Sequence, residues 1–411
     1  MIYASAKIQL NDLSKTQEES LRQLSGLSRD LYNLCSAVVS EHYQQHREVL
    51  EYKSLKKKIA LTPEYRALGG YYYQTLLTAI ADFRKYISTS CYALNKSDRT
   101  LRVKNLDNFS PPMPQVKPRM IEVKSPQTED GRLLLWATQH TPAMKIPLPE
   151  NYRDKRIISI CIRPLHHSRY WELAITYTQS EIAHPNLDRS KALGIDLGVT
   201  NFATCLSTEG DSFIIDGRYL KNLWQGYCKY RAKLCHSGSR GNTKRLCSLY
   251  NKTHHRSLDY VRKTAANIIR YCIDHHLGTL VLGWGVHFQQ GNIGKNNQLY
   301  ALLPFAKLKH ALEYQCRKHG VRFVVVDECY TSQASAYDLD PMPMHVTPTP
   351  QTFSGKRIRR GLYMPADGTP LISADVNGAA NILRKGKFTP QFLLRRERRG
   401  IASPQRINPL K

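Results

Sequence analysis

The chain has 411 residues, of which 41% are hydrophobic, and this is enough apolar material for two or three domains with cores of their own. Its formal net charge is +27, an excess of lysine and arginine that a compact chain tolerates best beside a polyanion. No apolar run reaches the roughly 20 residues that span a bilayer, and the first residues lack the apolar core of a signal peptide. We therefore expect an intracellular protein that binds nucleic acid and has no membrane partner.

The N-terminal half combines strand and helix patterns. It begins with alternating apolar and polar side chains, continues with apolar residues at intervals of three and four, and then passes a proline-rich stretch. The short apolar runs that follow are typical of strands and cover residues 133–136, 157–162 and 171–177. Residues 1–14 and 101–185 are therefore predicted to form a small β-barrel, with residues 15–100 as a helical insertion.

From Ala192 onward, strands alternate with long helices, which is the pattern of a mixed α/β sheet covered by helices. The predicted strands are residues 193–195, 203–207, 279–282 and 321–326. Residues 219–276 predict one or two long, very basic helices. The pattern thus indicates a second domain over residues 190–385, followed by a basic, irregular tail at residues 386–411.

Cysteine and histidine are scattered along the chain. The ten cysteines include no C-x-x-C pair, so we expect them to be reduced and mostly buried. Three pairs of histidines are adjacent in sequence, and adjacent rings cannot face the same way on a helix or a strand. Neither residue type predicts a structural zinc site.

Two aspartates stand in patterns that suit catalysis. Asp196, in GIDLGVTN, ends an apolar strand just before Gly198, where a carboxylate can reach a metal beside unobstructed backbone. Asp375, in ADVNGAANIL, precedes small residues and an apolar stripe, as at the start of a tightly packed helix. Taken alone, the first is also explained as a hairpin turn and the second as a helix cap.

Together, GIDLGVTNFAT and ADVNGAANIL resemble the first and third nuclease motifs of the TnpB (OrfB) family, which is related to the type V CRISPR effectors. The resemblance extends through residues 328–335 and 353–363 and, more loosely, through the N-terminal half. It implies an oligonucleotide-binding-like, wedge-like barrel with a helical recognition insertion, followed by an RNase H-like (RuvC-like) nuclease domain. It also implies that Asp196 and Asp375 are catalytic residues that bind two Mg²⁺ or Mn²⁺ ions.

The second nuclease motif departs from the family pattern. Most relatives place a glutamate at the end of the strand that here reads TLVLG, where this chain has Gly283. The predicted replacement is Glu328, at the end of the next strand, as in a branch of the family that has relocated its glutamate. Strand alternation puts Asp327 and Glu328 on opposite faces, and the resemblance favours Glu328. The predicted catalytic and metal-binding set is therefore Asp196, Glu328 and Asp375, although Glu328 could also be an ordinary exposed acid.

A second departure concerns the zinc ribbon. Relatives usually carry two C-x-x-C pairs before the last aspartate, whereas residues 331–374 of this chain contain no cysteine. We therefore expect no structural zinc in this insertion. Its proline-rich and then basic sequence fits either an ordered loop over the active site or a flexible lid.

Basic residues interleaved with aromatic ones predict a nucleic-acid surface, because the charges pair with phosphates and the rings stack on bases. The residues predicted to bind nucleic acid are Lys117, Arg119, Lys229, Arg231, Arg256, Arg262, Arg357, Arg359 and Arg360. For each of them, an ordinary solvated surface position is the alternative.

By resemblance, the chain is an RNA-guided DNA endonuclease encoded by or derived from a transposon. It would bind a guide noncoding RNA and double-stranded target DNA with a short flanking motif, and act as a monomer within the ribonucleoprotein. The expected location is the prokaryotic cytoplasm, at the nucleoid. Two alternatives stay open: a nuclease-dead RNA-guided DNA-binding protein that acts as a repressor or transposition accessory, and an RNase H-like transposase that works without RNA.

Overall fold

The structure of the chain is a computed structural model that describes residues 2–94, 101–103, 112–166, 168–237, 243–285, 302–345, 351–359, 361–366, 368, 371–397 and 404–410. The chain divides into two compact units, Tyr3–Gln179 and Ser180–Lys411. No helix in these described ranges is both long enough and apolar enough to cross a membrane.

Helices dominate the first part of the N-terminal unit. They are α1 Lys15–His46, α2 Tyr52–Ile59, α3 Pro63–Leu68 and α4 Tyr72–Cys91. Helix α1 begins at Ser14, whose hydroxyl accepts a hydrogen bond from the Gln17 backbone N–H while the Gln17 side chain accepts one from the Ser14 N–H. The four helices agree with the helical pattern of the sequence between residues 15 and 91.

The strands of the same unit form separate small sheets. The strands are β1 Ile2–Leu10, β2 Tyr92–Leu94, β3 Leu101–Val103, β4 Ile121–Lys124, β5 Thr128–Glu129, β6 Arg132–Leu135, β7 Met144–Pro147, β8 Ile157–Leu165 and β9 Tyr170–Gln179. One sheet has the order β1-β9-β8-β4, a second has the order β5-β6-β7, and β2 pairs with β3. The predicted oligonucleotide-binding-like barrel is not found among the described residues, because β1 and β4 remain open edges and no ladder joins the sheets.

The second unit contains one large sheet and one smaller sheet. Its strands are β10 Asp188–Leu197, β11 Asn201–Ser207, β12 Ser212–Asp216, β13 Leu277–Gly283, β14 Arg322–Val326, β15 Lys356–Arg359, β16 Leu362–Met364, β17 Ile372–Ser373 and β18 Gln405–Ile407. Its helices are α5 Arg218–His236, α6 Lys244–Asp274, α7 Phe305–His319, α8 Ala374–Lys385 and α9 Gln391–Leu394. The large sheet has the order β14-β13-β10-β11-β12-β18, and β15, β16 and β17 form a smaller one. The predicted mixed α/β character is confirmed.

Helices cover both faces of the large sheet. Leu193, Ile195 and Leu280 point to the face covered by α5, α6 and α7. Ala192 and Val281 point to the opposite face, which is covered by α8 and α9. Because side chains alternate along a strand, this division assigns every residue of β10, β13 and β14 to one of two faces.

The C-terminal tail is more ordered than its sequence predicted. Phe392 and Leu393 of α9 are buried against the α8 side of the sheet. Strand β18 pairs in parallel with β12, with Ile214 opposite Arg406. The prediction of an irregular tail is therefore wrong for these two segments, because their few apolar residues are enough to fasten them to the sheet.

Helix α8 approaches the sheet closely at Gly194. A Cβ atom at this position would lie 2.7 Å from the backbone oxygen of Ala379 and 2.6 Å from Cγ of Leu383. Real Cβ atoms do not come so close to other atoms, and a backbone oxygen inside a helix cannot turn away. Glycine at this position thus sets the distance between α8 and β10.

We predict that Gly194→Ala lowers the free energy of unfolding by about 1–3 kcal/mol, because it forces α8 away from the sheet. The matched control is Gly226→Ala in α5, where a Cβ would meet nothing within 4 Å and alanine favours the helix. Denaturant unfolding of both variants measures the difference. Equal stability of the two variants would contradict the close approach.

Candidate active site

Asp196 lies near the end of β10, on the face covered by α8. Its carboxylate is close to Gly378, where an added Cβ would lie 2.9 Å from Oδ2 of Asp196. The helix can pass the carboxylate only because residue 378 has no side chain. Thr204, the partner of Asp196 on β11, has a buried hydroxyl without a hydrogen-bond partner among the described residues.

Asp375 lies in the first turn of α8. The N-cap position is Ser373, so Asp375 does not cap the helix. One oxygen of Asp375 accepts a hydrogen bond from Nδ2 of Asn201 at 2.5 Å, and the other lies 3.7 Å from Nη2 of Arg357. The carboxylate therefore faces polar and cationic groups from other parts of the chain.

The register of the sheet brings the end of β14 to the face of Asp196. Ile195 pairs with Leu282, and Gly283 pairs with Val326, so Asp196, Gly283 and Val326 share one face. Glu328 lies two residues beyond Val326, after the end of β14. The Gly285 backbone N–H donates a hydrogen bond to its carboxylate, which holds the side chain beside the end of β13.

Asp327 is held on the other side of the chain. Its carboxylate accepts a hydrogen bond from the Cys329 backbone N–H at 3.0 Å and lies 3.3 Å from Nδ1 of His345. Partial burial raises the pKa of Asp327, but the hydrogen bonds from Cys329 and His345 outweigh it and hold this pKa below its usual value. Asp327 therefore has partners of its own, away from Asp196.

The carboxylates of the site repel one another. Burial, and then the charges of Asp375 and Glu328, raise the pKa of Asp196 well above its usual value, while Arg357 opposes the shift. Burial, followed by the charge of Asp327, raises the pKa of Glu328 to about 7, against the hydrogen bond from Gly285. A site with this surplus of negative charge favours a bound cation.

The donor set fits a hard divalent cation. Carboxylate and hydroxyl oxygens are the ligands that Mg²⁺ and Mn²⁺ prefer, and Asp196, Asp375 and the unsatisfied Thr204 hydroxyl supply them. Within the described residues, no three His, Cys, Asp or Glu side chains are grouped closely enough to hold a metal ion. The full ligand set of Asp196, Glu328 and Asp375 therefore stays a prediction.

Two further residues belong to this environment and were not singled out from the sequence. Asn201 donates to Asp375, and Nη2 of Arg406 in β18 donates to Oδ1 of Asn201 at 2.8 Å. Because arginine can only donate, it fixes which end of the Asn201 amide faces Asp375. Asn201 stands inside the GIDLGVTN motif, whereas nothing in the tail sequence marks Arg406.

Two family models and one curated protein match parts of this chain. The OrfB_IS605 family, described as "Probable transposase", matches residues 174–286, and the "Cas12f1-like, TNB domain" matches residues 305–382. The "TnpB-like protein ORF457" of Acidianus two-tailed virus is 24% identical over 245 residues. The resemblance to the TnpB (OrfB) family is confirmed. The alignment covers 56% of this chain and 49% of that relative, so the chain spans about half its length.

The fold agrees with this relationship. The structure titled "Cryo-EM structure of the Cas12f1-sgRNA-target DNA complex" is similar with a TM-score of 0.51 and 14% sequence identity. The similarity covers 89% of this chain and 82% of that chain. The chain therefore has a mixed α/β fold that resembles a Cas12 effector.

Each of the two family matches contains part of the candidate site. The OrfB_IS605 match contains Asp196 and Gly283, and the Cas12f1-like match contains Glu328 and Asp375. All the acids of the candidate site thus lie in TnpB-related sequence. A branch of the family with a relocated glutamate and no zinc ribbon is still a prediction.

The structure gives a steric reason for Gly283 in this TnpB-related chain. A Cβ at Gly283 would contact Cδ1 of Ile382 and lie 2.9 Å from its Cγ1. Ile382, in the middle of α8, is fully buried. The place where most relatives have a glutamate side chain is therefore filled by an apolar group.

The residues predicted to bind nucleic acid lie in several places. In the second unit, the side chains of Lys229, Arg231, Arg256, Arg262, Arg357 and Arg359 are exposed on α5, α6 and β15. In the first unit Lys117 is exposed, whereas the Arg119 guanidinium lies 3.6 Å from the centre of the Tyr32 ring. Arg360 lies outside the described residues.

We predict that the stability costs of Gly283→Ala and Ile382→Ala are not additive. Alone, Gly283→Ala should lower the free energy of unfolding by about 1–3 kcal/mol, because its methyl group meets Ile382. In an Ile382→Ala background the same change should cost less, by roughly 0.5 kcal/mol or more. A double-mutant cycle by denaturant unfolding measures this coupling, and additive costs would mean that the two residues do not touch.

Proposed function

We propose that this protein is an RNA-guided DNA endonuclease encoded by or derived from a transposon, and that it cleaves DNA by metal-dependent phosphodiester hydrolysis. The proposal is supported above all by the sheet register, which puts Val326, two residues before Glu328, on the face of Asp196, and by the charges of Asp375 and Glu328, which raise the pKa of Asp196. Asp196 comes from β10, Glu328 from the end of β14 and Asp375 from the start of α8.

Asp196, Glu328 and Asp375 would together hold two Mg²⁺ or Mn²⁺ ions. Ions held there would supply Lewis-acid stabilisation of the charge that develops on the phosphate oxygens during hydrolysis. The protein would supply the positions of the ligands. Asn201 orients Asp375, the Gly285 N–H orients Glu328, and Gly378 leaves room for Asp196 beside the helix.

Arg357 would have two partners during the reaction. It pairs with Asp375 across 3.7 Å, and its side chain is 44% exposed. When a cation neutralises Asp375, the guanidinium is free to pair with a phosphate of the DNA backbone. The adjacent Arg359 is exposed on the same strand and adds positive charge at this position.

The guide noncoding RNA and the target DNA would bind along the exposed cations of α5, α6 and β15. The net charge of +27 supports a large polyanionic ligand, and tyrosines such as Tyr230 offer rings for stacking. The match to the Cas12f1-like domain and the fold shared with a Cas12f1 complex support the same partners. We propose that the protein acts as a monomer in its ribonucleoprotein, in the prokaryotic cytoplasm, on DNA with a short flanking motif.

A nuclease-dead RNA-guided DNA-binding protein is the second candidate function. One observation that favours it is Gly283, because Ile382 fills the space that an acidic side chain at this position would need. Another is that, within the described residues, no three possible ligands are grouped closely enough to hold a metal ion. Such a protein would keep its RNA and DNA affinity and act as a repressor or transposition accessory. Cleavage assays separate it from the endonuclease.

We predict that the purified ribonucleoprotein cuts target DNA with Mg²⁺ or Mn²⁺. Asp196→Ala and Glu328→Ala should each lower cleavage roughly 100-fold or more, because each removes a carboxylate that would hold the ions that stabilise the transition state. Both variants should bind guide RNA and target DNA as the native chain does. Chelation of the divalent ions should abolish cleavage and leave binding in place.

The matched control is Asp327→Asn, which alters the neighbouring acid on the opposite face and should leave cleavage nearly unchanged. Loss of activity in Asp327→Asn with retention in Glu328→Ala would reverse the assignment of the third ligand. A native chain that binds its target and never cuts would establish the nuclease-dead alternative. A chain that purifies and acts without RNA would instead be an autonomous transposase.

A further inference from the structure

The segment from residue 327 to residue 344 directly follows the strand that positions Glu328. Helix α8 holds this segment by hydrogen bonds to its backbone. The α8 side chains that make these bonds are Asn377, Asn381, Arg384 and Lys385. Buried polar groups need such partners to offset the loss of water.

The two asparagines fix the middle of this segment. Asn377 accepts a hydrogen bond from the Ala336 backbone N–H at 2.9 Å and donates one to the Ala334 oxygen at 2.8 Å. Asn381 donates to the backbone oxygens of Thr331 and Ala334 at 2.9 and 2.7 Å. Both side chains are almost completely buried, so this part of the segment is fastened to α8.

Asp340 connects the segment to residues further along the chain. Its buried carboxylate accepts hydrogen bonds from the Ser335 backbone N–H at 2.8 Å and from the Ser354 hydroxyl at 2.6 Å. Its backbone oxygen accepts a hydrogen bond from Nη2 of Arg384 at 2.7 Å. The contacts that order this region are therefore hydrogen bonds between protein groups.

Among these α8 residues, Lys385, the last residue of the helix, makes the contacts nearest to Glu328; the backbone oxygen of Glu328 itself accepts a hydrogen bond from the Thr331 hydroxyl at 2.8 Å. Its ammonium group donates to the backbone oxygens of Asp327 at 3.0 Å and Cys329 at 2.7 Å, on either side of Glu328. It also lies 3.0 Å from Sγ of Cys329 and 3.5 Å from the Met344 oxygen. The residue is only 6% exposed, so these groups take the place of water around its charge.

We propose that Lys385 is a positioning residue for Glu328. By holding the backbone oxygens of Asp327 and Cys329, the residues before and after Glu328, its ammonium group fixes the backbone from which the Glu328 carboxylate projects. The proposal rests on the proposed role of Glu328 in cleavage. Helix α8 would then carry Asp375 in its first turn and support Glu328 through Lys385, its last residue.

The geometry explains why lysine suits this position. An ammonium group has three donors that can point in different directions, and Lys385 has four acceptors around it: the oxygens of Asp327, Cys329 and Met344 and the sulfur of Cys329. Methionine has a similar length without a donor, and it would remove the hydrogen bonds to the Asp327 and Cys329 oxygens, whereas the Met344 oxygen would keep the Cys329 thiol as a partner. Lys387, two residues later, is exposed and provides a matched control.

The first test compares DNA cleavage by Lys385→Met and Lys387→Met ribonucleoproteins. Lys385→Met should lower the cleavage rate roughly 10- to 100-fold, the usual effect of removing a group that supports a metal ligand. Binding of guide RNA and target DNA should not change, and Lys387→Met should cleave like the native chain. In a Glu328→Ala background, Lys385→Met should have no further effect, because the group that it positions is gone.

The second test does not depend on cleavage. Alkylation of Cys329 at a pH that ionises the thiol in every variant, followed by peptide mass spectrometry, reports whether the segment beside Lys385 is still held. Lys385→Met should speed this alkylation severalfold and leave the labelling of Cys235 on α5 unchanged. If the methionine variant fails to fold, Lys385→Gln, which keeps an N–H donor on a shorter side chain, should show the same changes to a smaller degree.

The outcomes separate this proposal from the proposed function. A folded Lys385 variant with native cleavage and native Cys329 labelling would overturn the positioning role, as would an equal loss of cleavage with and without Glu328. If the native chain never cleaves, the proposed endonuclease fails, whereas the labelling of Cys329 still decides whether Lys385 holds the segment.

Discussion

The close packing of helix α8 against the large sheet is the contact on which the candidate site depends. It is possible because Gly194, Gly283 and Gly378 lack side chains where the helix and the sheet meet. Larger residues would separate Asp375 on the helix from Asp196 on the strand. The same helix carries Ile382 into the space beside Gly283 and holds the backbone around Glu328 through Lys385. One packing arrangement therefore sets the positions of all three acids.

The charge distribution follows from this arrangement. The chain as a whole is strongly basic, yet at the end of the sheet burial and the charges of Asp375 and Glu328 raise the pKa of Asp196. Repulsion of this kind costs stability in the absence of a cation, which is the usual cost of a preformed binding site. Arg357 offsets part of it through its contact with Asp375. A basic surface that attracts phosphates and an acidic centre that attracts divalent ions are complementary requirements of DNA cleavage.

Much of this was predictable because it depends on local patterns. The alternation of apolar residues located the central strands and put Asp327 and Glu328 on opposite faces, whereas the choice of Glu328 came from the family resemblance. The small residues after Asp375 indicated a helix that packs closely. The role of Asp375 could not be settled locally, since a helix cap and a site acid have the same sequence. The structure excludes the helix cap for Asp375, because Ser373 occupies the cap position.

Other features depend on contacts between distant residues, which no local pattern encodes. The N-terminal strands were expected to close into a barrel, but strand patterns do not specify which edges pair, and no pairing closes the sheets in the part of the unit that the structure describes. Arg406 reaches Asn201 only because the tail pairs with β12, and Lys385 reaches the residues around Glu328 only through packing of α8. A basic residue in a basic chain gives no sign of such a role.

The most direct test of the site is hydroxyl-radical mapping with Fe²⁺ in place of Mg²⁺ in the ribonucleoprotein, because radicals formed at a bound iron cut the nearby protein backbone. We expect fragments that end near Asp196, Glu328 and Asp375, and all of them should disappear when Mg²⁺ displaces the iron. Fragments near Asp196 and Asp375 with none near Glu328 would contradict the relocated glutamate.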